Sequence, residues 1–243
     1  MSRLVRRRPG QPGLALRASL PTGPEKEHAV RAMFDAIAPR YDALNRLMTF
    51  GLDRGWRRTA VHSLRLPPAS VVLDVACGTG DLCRELARVG LRPVGFDVSS
   101  GMLAAAREPA PLVLGDGLQL PVATAVADGV TCGFALRNVV SLPRLFAEFA
   151  RVLRPGGRVS ILEVAEPTTP GIRAVHAIYF RRVVPVLGGL LSDRAAYRYL
   201  PRSTAYLPTV AEQLDLLQSA GFADVRSTPL GFGAVRLTTG TRR

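Results

Sequence analysis

From residue 71 onward the chain alternates short apolar runs with stretches whose apolar residues recur at helical spacing. The runs fall at 71–76, 93–96, 111–114, 129–135 and 158–164, and again at 222–228 and 233–239. Runs this short, bounded by Gly, Pro and polar residues, predict buried strands, and the periodic segments between them predict helices. Ahead of them, Val30, Met33, Phe34, Ile37, Tyr41, Leu44 and Leu47 predict one helix over 25–48, carried through Pro39. A second helix covers 53–65 and carries Trp56. Strand and helix in alternation imply a doubly wound, mostly parallel α/β sheet. The last two strands are separated only by a few residues around Gly231 and Gly233, which allows a hairpin and an antiparallel strand at the sheet end.

One part of this pattern carries chemistry. The segment Val71-Val72-Leu73-Asp74-Val75-Ala76-Cys77-Gly78-Thr79-Gly80-Asp81 reads as a strand, a tight turn at Gly78 and Gly80, and a helix start. Glycine lets the backbone approach a ligand closely and a helix N-terminus is partly positive, so the segment predicts a nucleotide-type site. The next strand ends in Asp97, where a carboxylate can accept both hydroxyl hydrogens of a ribose. A dinucleotide site would want a third glycine where Cys83 stands, and Asp81 would repel a pyrophosphate. Asp74 and Asp81 instead suit an adenosine cofactor with positive charge, such as S-adenosylmethionine. The plain alternative is a structural glycine turn in another α/β domain.

Composition narrows the reading. A hydrophobic content of 47% over 243 residues supports one full-sized domain. No apolar stretch reaches the ~18 uncharged residues of a membrane span. Cys77, Cys83 and Cys132 are odd in number and lack metal-type spacing, which suits a reducing compartment. The net charge of +13 invites a nucleic-acid partner, but Lys26 is the only lysine and the arginines follow an Ala-, Gly- and Pro-rich composition. Residues 1–24, with Arg3, Arg6, Arg7, Arg8 and Arg17 among prolines and glycines, are expected to form a disordered basic tail. A transit peptide, a bacterial tail and attraction to anionic lipid are all compatible with it. The remainder, 25–243, divides into a helical cap (25–66), the sheet, and an insertion at 168–205. Within that insertion the apolar run Val183 to Leu191 reads either as a core-facing helix or as a greasy lid for a lipid-like substrate.

Several further motifs stand in order. They are Met33-Phe34-Asp35 to Ala38-Pro39-Arg40-Tyr41-Asp42, the run from Leu73 to Leu82, Asp97 with Ser100-Gly101-Met102-Leu103, and Gly115-Asp116 with Leu120-Pro121. Leu136-Arg137-Asn138-Val139, Arg154-Pro155-Gly156-Gly157, Glu163 with Pro167, Tyr197-Arg198-Tyr199-Leu200 and Ala220-Gly221-Phe222 follow. In these the chain resembles the ubiquinone/menaquinone biosynthesis C-methyltransferases, the demethylmenaquinone methyltransferase type, over about residues 27–240. The glycine turn and the Arg-Pro-Gly-Gly run are shared by many class I methyltransferases, whereas the segments at 136–139 and 197–200 are particular to this family.

The resemblance implies a class I S-adenosylmethionine-dependent methyltransferase fold: a doubly wound seven-stranded, mostly parallel sheet with an antiparallel last strand and an N-terminal helical cap. It implies S-adenosylmethionine as donor and a small lipophilic acceptor, a reduced prenylated demethylquinone. Donor contacts carry over to Thr79, to Asp97 on the ribose and to Asp116-Gly117 beside the adenine. Asp74, Gly78 and Gly80 complete the expected donor site. Gly133 contributes only its backbone, since the family usually has Ser there. The chain also departs from the family at Arg202-Ser203, at Arg236 and Thr238 within Val235-Arg236-Leu237-Thr238-Thr239-Gly240, and in its short segment between Asp97 and Gly115.

Carbon methylation of a hydroquinone asks the protein mainly for positioning and for control of a phenolic charge. Arg137 is the first candidate: an arginine side chain cannot act as a base, but it can hold a phenolate. Asn138 can hydrogen-bond beside it, and Tyr41 in the cap can reach donor or acceptor. A structural salt bridge for Arg137 and simple packing for Tyr41 are the plain alternatives. His176 is a weaker candidate base, and His28 and His62 are assigned to surface or packing. No carboxylate pair follows the fourth strand, so no metal is expected. The rival readings are a methyltransferase for a soluble aromatic or polyketide acceptor, a nucleic-acid methyltransferase and a non-catalytic accessory subunit. A cytoplasmic location is expected, with contact at the inner membrane face and a homodimer left open.

Overall fold

The computed structural model describes residues 22–107, 110–179, 182 and 203–243. The cap comprises α1 (Gly23–Ile37), a 3-10 turn over Ala38–Arg40, α2 (Tyr41–Met48) and α3 (Leu52–Ser63). The single helix expected over 25–48 is therefore broken in two. Pro39 has no amide hydrogen to donate to the helical ladder, and the chain tightens to 3-10 geometry around it.

The sheet follows as β1 (Val71–Val75), α4 (Asp81–Arg88), β2 (Arg92–Asp97), α5 (Ser100–Ala105), β3 (Leu112–Leu114), β4 (Ala127–Gly133), α6 (Leu142–Val152) and β5 (Leu153–Val164). Then come α7 (Pro170–Ile178), α8 (Val210–Ser219), β6 (Phe222–Leu230) and β7 (Val235–Arg242). The seven strands lie in the order β3-β2-β1-β4-β5-β7-β6. β7 runs antiparallel to both β5 and β6, so the hairpin forms as expected. Within that hairpin at the sheet end, the reversed strand β7 lies between β5 and β6 and leaves β6 at the edge.

Two strand boundaries also differ from expectation. β4 stops at Gly133 because Phe134 turns into the left-handed region at φ 59°. β5 begins at Leu153, so the Arg154-Pro155-Gly156-Gly157 run lies inside it, opposite a register shift between Ala127 and Gly129. The main core gathers Leu73, Val75, Val130 and Ile161 from the sheet with Phe146, Phe149 and Phe222, all buried. Of the expected insertion, α7 is described. The apolar run at 183–191 and Tyr197-Arg198-Tyr199-Leu200 lie outside the described residues. No described helix is long and apolar enough to cross a membrane.

Strand order reverses between β1 and β4, whose C-terminal ends therefore open a crevice. The cap helices lie over that end of the sheet, with Asp35 of α1 accepting hydrogen bonds from Ser99 Oγ (2.6 Å) and the Gly101 amide (2.9 Å) at the start of α5.

Candidate active site

The turn after β1 is built from residues in left-handed conformation: Ala76 and Gly78 at φ 57° and Gly80 at φ 85°. Two glycines make that path cheap, while a left-handed alanine is a strained position of the kind that clusters at binding sites. Asp97 fastens the turn to β2. One carboxylate oxygen accepts from the Gly78 amide at 2.8 Å and the other from the Ser99 amide at 2.8 Å. Burial pushes the Asp97 pKa up, against those amide bonds. From the cap, Asp42 accepts the Thr79 hydroxyl at 2.5 Å.

A cavity of about 900 Å³, counted to its open mouth, lies beside this turn and is lined by Gly78, Asp97, Asp116, Gly117, Gly133 and Asn138 among others. Asp116 accepts the Leu118 amide at 2.9 Å and keeps its side chain toward solvent. Gly117 sits directly against β1, where an added Cβ would meet Val75 Cγ1 at 2.8 Å. Glu27, on α1, also lines this cavity and was not singled out from sequence. A glycine-lined cradle with carboxylates at its wall fits an adenosine cofactor with a positively charged tail.

The remaining expected donor residues sit elsewhere. Thr79 and Gly80 shape the turn without lining the cavity, and the Thr79 hydroxyl is engaged by Asp42. Asp74 is fully buried beneath the turn, accepting from Thr131 Oγ1 at 2.7 Å and from the Cys83 thiol at 3.6 Å. Burial raises its pKa to about 7. Asp81 accepts from Arg84 at 2.8 Å and lies 3.4 Å from Arg57 Nη2. Neither member of the expected Asp74–Asp81 pair lines the cavity; Asp97, Asp116 and Glu27 do.

A second cavity of about 1300 Å³ adjoins the first and shares Phe34, Tyr41, Phe134 and Asn138 with it. Its wall is mostly apolar, with Arg137 and His176 among its polar members. Arg137 forms a buried ion pair with Glu163 of β5 and donates to the Phe134 carbonyl oxygen at 2.7 Å. The structural salt bridge weighed from sequence is thus present, and Arg137 still borders the cavity. Burial raises the Tyr41 pKa, which keeps its hydroxyl a donor, and lowers that of His176, which keeps its imidazole neutral. Tyr179 donates to the Met48 carbonyl oxygen at 2.7 Å, closing α7 over the cap. Glu163 was visible only as a motif residue, because its partner comes from a different strand end.

The other face of the cap is held by Lys26. This lysine is 5% exposed, donates to the Val139 carbonyl oxygen at 2.8 Å and lies 3.7 Å over the Tyr206 ring. Burial lowers its pKa to about 8.

Residues 23–242 match the model of the ubiE/COQ5 methyltransferase family. The chain belongs to that family. Its relatives include the ubiquinone/menaquinone biosynthesis C-methyltransferase UbiE of Syntrophotalea carbinolica, 43% identical over 87% of this chain and 93% of that protein. The demethylmenaquinone methyltransferase of Roseiflexus castenholzii is 42% identical over 92% of this chain and 98% of its own. Among solved structures, phosphoethanolamine N-methyltransferase 2 of Haemonchus contortus, bound to S-adenosylhomocysteine, superposes with a TM-score of 0.58 at 14% identity, covering 77% of this chain and 52% of that one. The cyclase SpnF superposes with a TM-score of 0.63 at 16% identity, over 92% and 98% of the two chains. At such identities the likeness is one of fold: class I S-adenosylmethionine-dependent methyltransferase. Membership of the ubiE/COQ5 family makes this chain a methyltransferase that uses S-adenosylmethionine.

Proposed function

We propose that the enzyme methylates a ring carbon of a reduced, prenylated quinone precursor, taking demethylmenaquinol to menaquinol or performing the corresponding step toward ubiquinone. The observation that carries this reading is a pair of cavities with a common wall. The first has carboxylates and glycines suited to the donor, and the second is larger, apolar and lined by a few polar groups. The quinone-pathway names of relatives matched over nearly their full length support the same acceptor.

When bound, S-adenosylmethionine supplies an electrophilic methyl group. A ring carbon beside a hydroxyl is nucleophilic, and more so when that oxygen carries negative charge. The protein's part is then to align the ring and stabilise the charge. Asn138, on the shared wall, orients the ring oxygen, and the Arg137 guanidinium stabilises it as charge develops. Tyr41 contributes a protonated hydroxyl from the cap. His176, neutral through burial, accepts the proton released from the acceptor. Asp97, Asp116 and the backbone at Gly78, Gly117 and Gly133 hold the donor.

A prenylated acceptor resides in lipid, and we include a peripheral membrane contact in this reading. Phe50 and Leu52 line the acceptor cavity yet are 77% and 54% exposed. Phe232, next to the lining residue Gly231, is 84% exposed, and Val175 and Ile178 flank His176 on α7 at 69% and 57%. The decisive experiment supplies the purified protein with S-adenosylmethionine and a reduced short-chain demethylmenaquinol, followed by mass spectrometry. One added methyl on a ring carbon is expected; donor binding without this product would overturn the acceptor assignment.

A further inference from the structure

The acceptor cavity is apolar along most of its wall, yet Asp53 and Arg57 also line it, and the chemistry above gives them no task. They lie one helical turn apart on α3 at 2% and 7% exposure. Arg57 Nη1 donates to Asp53 Oδ2, and Thr49 Oγ1 donates to Asp53 Oδ1 at 2.9 Å. Removing two charges from water offsets most of their attraction, so a buried pair of this kind adds little net stability. On a cavity wall such a pair does something an apolar pair cannot: it offers a strong acceptor and a strong donor to a polar ligand group.

Phe134 gives this placement its meaning. The Arg57 guanidinium lies 5.7 Å from the centre of the Phe134 ring, whereas Arg137 donates to the carbonyl oxygen of the same residue. Two arginine–carboxylate pairs, Asp53–Arg57 and Glu163–Arg137, therefore flank Phe134, one of the four residues that line both cavities. A ring with a single hydroxyl needs one such partner. A ring with hydroxyls at opposite ends has use for two.

We propose that Asp53 and Arg57 bind the second hydroxyl of a dihydroxylated aromatic acceptor, the one remote from Arg137. The carboxylate accepts the hydroxyl hydrogen and the guanidinium donates to its oxygen. Each Asp53 oxygen takes one protein hydrogen bond and keeps a lone pair for this role. The pair thereby selects for a hydroquinone over a simple phenol, since an analogue lacking the hydroxyl would leave buried charges without their ligand. This rests on the aromatic acceptor proposed above and specifies how its headgroup is recognised.

Trp56 is the sole tryptophan and lines this cavity, so its fluorescence reports binding independently of turnover. The probes are a short-chain prenyl naphthohydroquinone and the two matched naphthols that each lack one hydroxyl. The native enzyme is expected to bind the hydroquinone about tenfold or more tighter than either naphthol, the yield of a hydrogen bond to a charged group. Asp53→Asn is expected to remove that advantage for the hydroquinone while leaving the naphthol without the remote hydroxyl unchanged. Equal binding of all three probes by the native enzyme would overturn the proposal without any variant. So would an Asp53→Asn protein that loses affinity for all three alike. Tight, discriminating binding without methyl transfer would instead overturn the proposed reaction and leave the recognition of the headgroup standing.

Discussion

The Thr79 hydroxyl donates to Asp42 across 2.5 Å, so the glycine turn after β1 is bonded to the second helix of the cap. The turn beside the proposed donor cavity is thus tied to the cap, although neither residue lines that cavity. Loss of the contact should be felt as weaker donor binding. Asp42→Ala and Thr79→Val are each expected to weaken S-adenosylhomocysteine binding severalfold, and the double variant is expected to be no worse than the poorer single one. Calorimetric titration of the four proteins checks this; fully additive losses would mean that the two residues act separately.

Asp97 has a second role besides any contact with the ribose, because it accepts the amides of Gly78 and Ser99. Asp97→Ala is expected to weaken donor binding about tenfold or more, as a ribose hydroxyl loses a charged acceptor at about 1.5–3 kcal/mol, and to loosen the turn that its two amide bonds hold. Equilibrium binding measured with S-adenosylhomocysteine decides it.

Arg137→Met leaves Glu163 buried without its partner, which is expected to cost about 3–5 kcal/mol. The double variant Arg137→Met with Glu163→Leu is expected to regain most of that stability in urea unfolding but none of the turnover. Recovery of turnover along with stability would confine Arg137 to a structural part.

Asp74 gives a pH signature. Its pKa is raised from 3.8 to about 7 by burial, so the folded protein holds a proton there that the unfolded chain releases. Stability from this group is fully present below about pH 4, falls as pH rises, and is lost above about pH 7. Asp74→Asn keeps an acceptor for Thr131 and does not ionise. Its melting temperature relative to the native protein is expected to climb by several degrees between pH 4 and 7 and then level off.

Gly133→Ser tests the family departure noted from sequence. An added Cβ would meet Leu82 Cδ1 at 2.9 Å, the far end of a flexible side chain. The substitution is expected to cost about 1 kcal/mol or less by thermal melting, with donor affinity retained or improved by the added hydroxyl.

Much of this site was legible in the chain. The alternation of apolar runs and periodic segments specifies the sheet, and the Gly78–Gly80 turn with Asp97 at the next strand end leads to the cavity proposed for the donor, because these are local signals. What escaped depends on pairing between distant segments. Asp74 looked like a ligand because it is an acid beside a glycine turn, but the register sets it against Thr131 of β4, which takes its carboxylate inward. Glu163 meets Arg137 only once β4 and β5 lie side by side. The break at Pro39 was hidden because the apolar spacing continues in phase from Ile37 to Tyr41 across a single 3-10 turn. Asp53 and Arg57 were visible as an acid and a base one turn apart, a spacing more often found on solvated helix faces, and nothing local marks this one as a cavity wall.

Lys26 provides a reporter that requires no engineering. It is the chain's one side-chain amine, and it is held under the cap against Val139 and Tyr206. At 5% exposure it is shielded from an acylating reagent while α1 stays packed against those two residues. The rate of Lys26 acylation, followed by peptide mass so that the chain's α-amine is counted apart, with and without donor, therefore reports how often that packing opens.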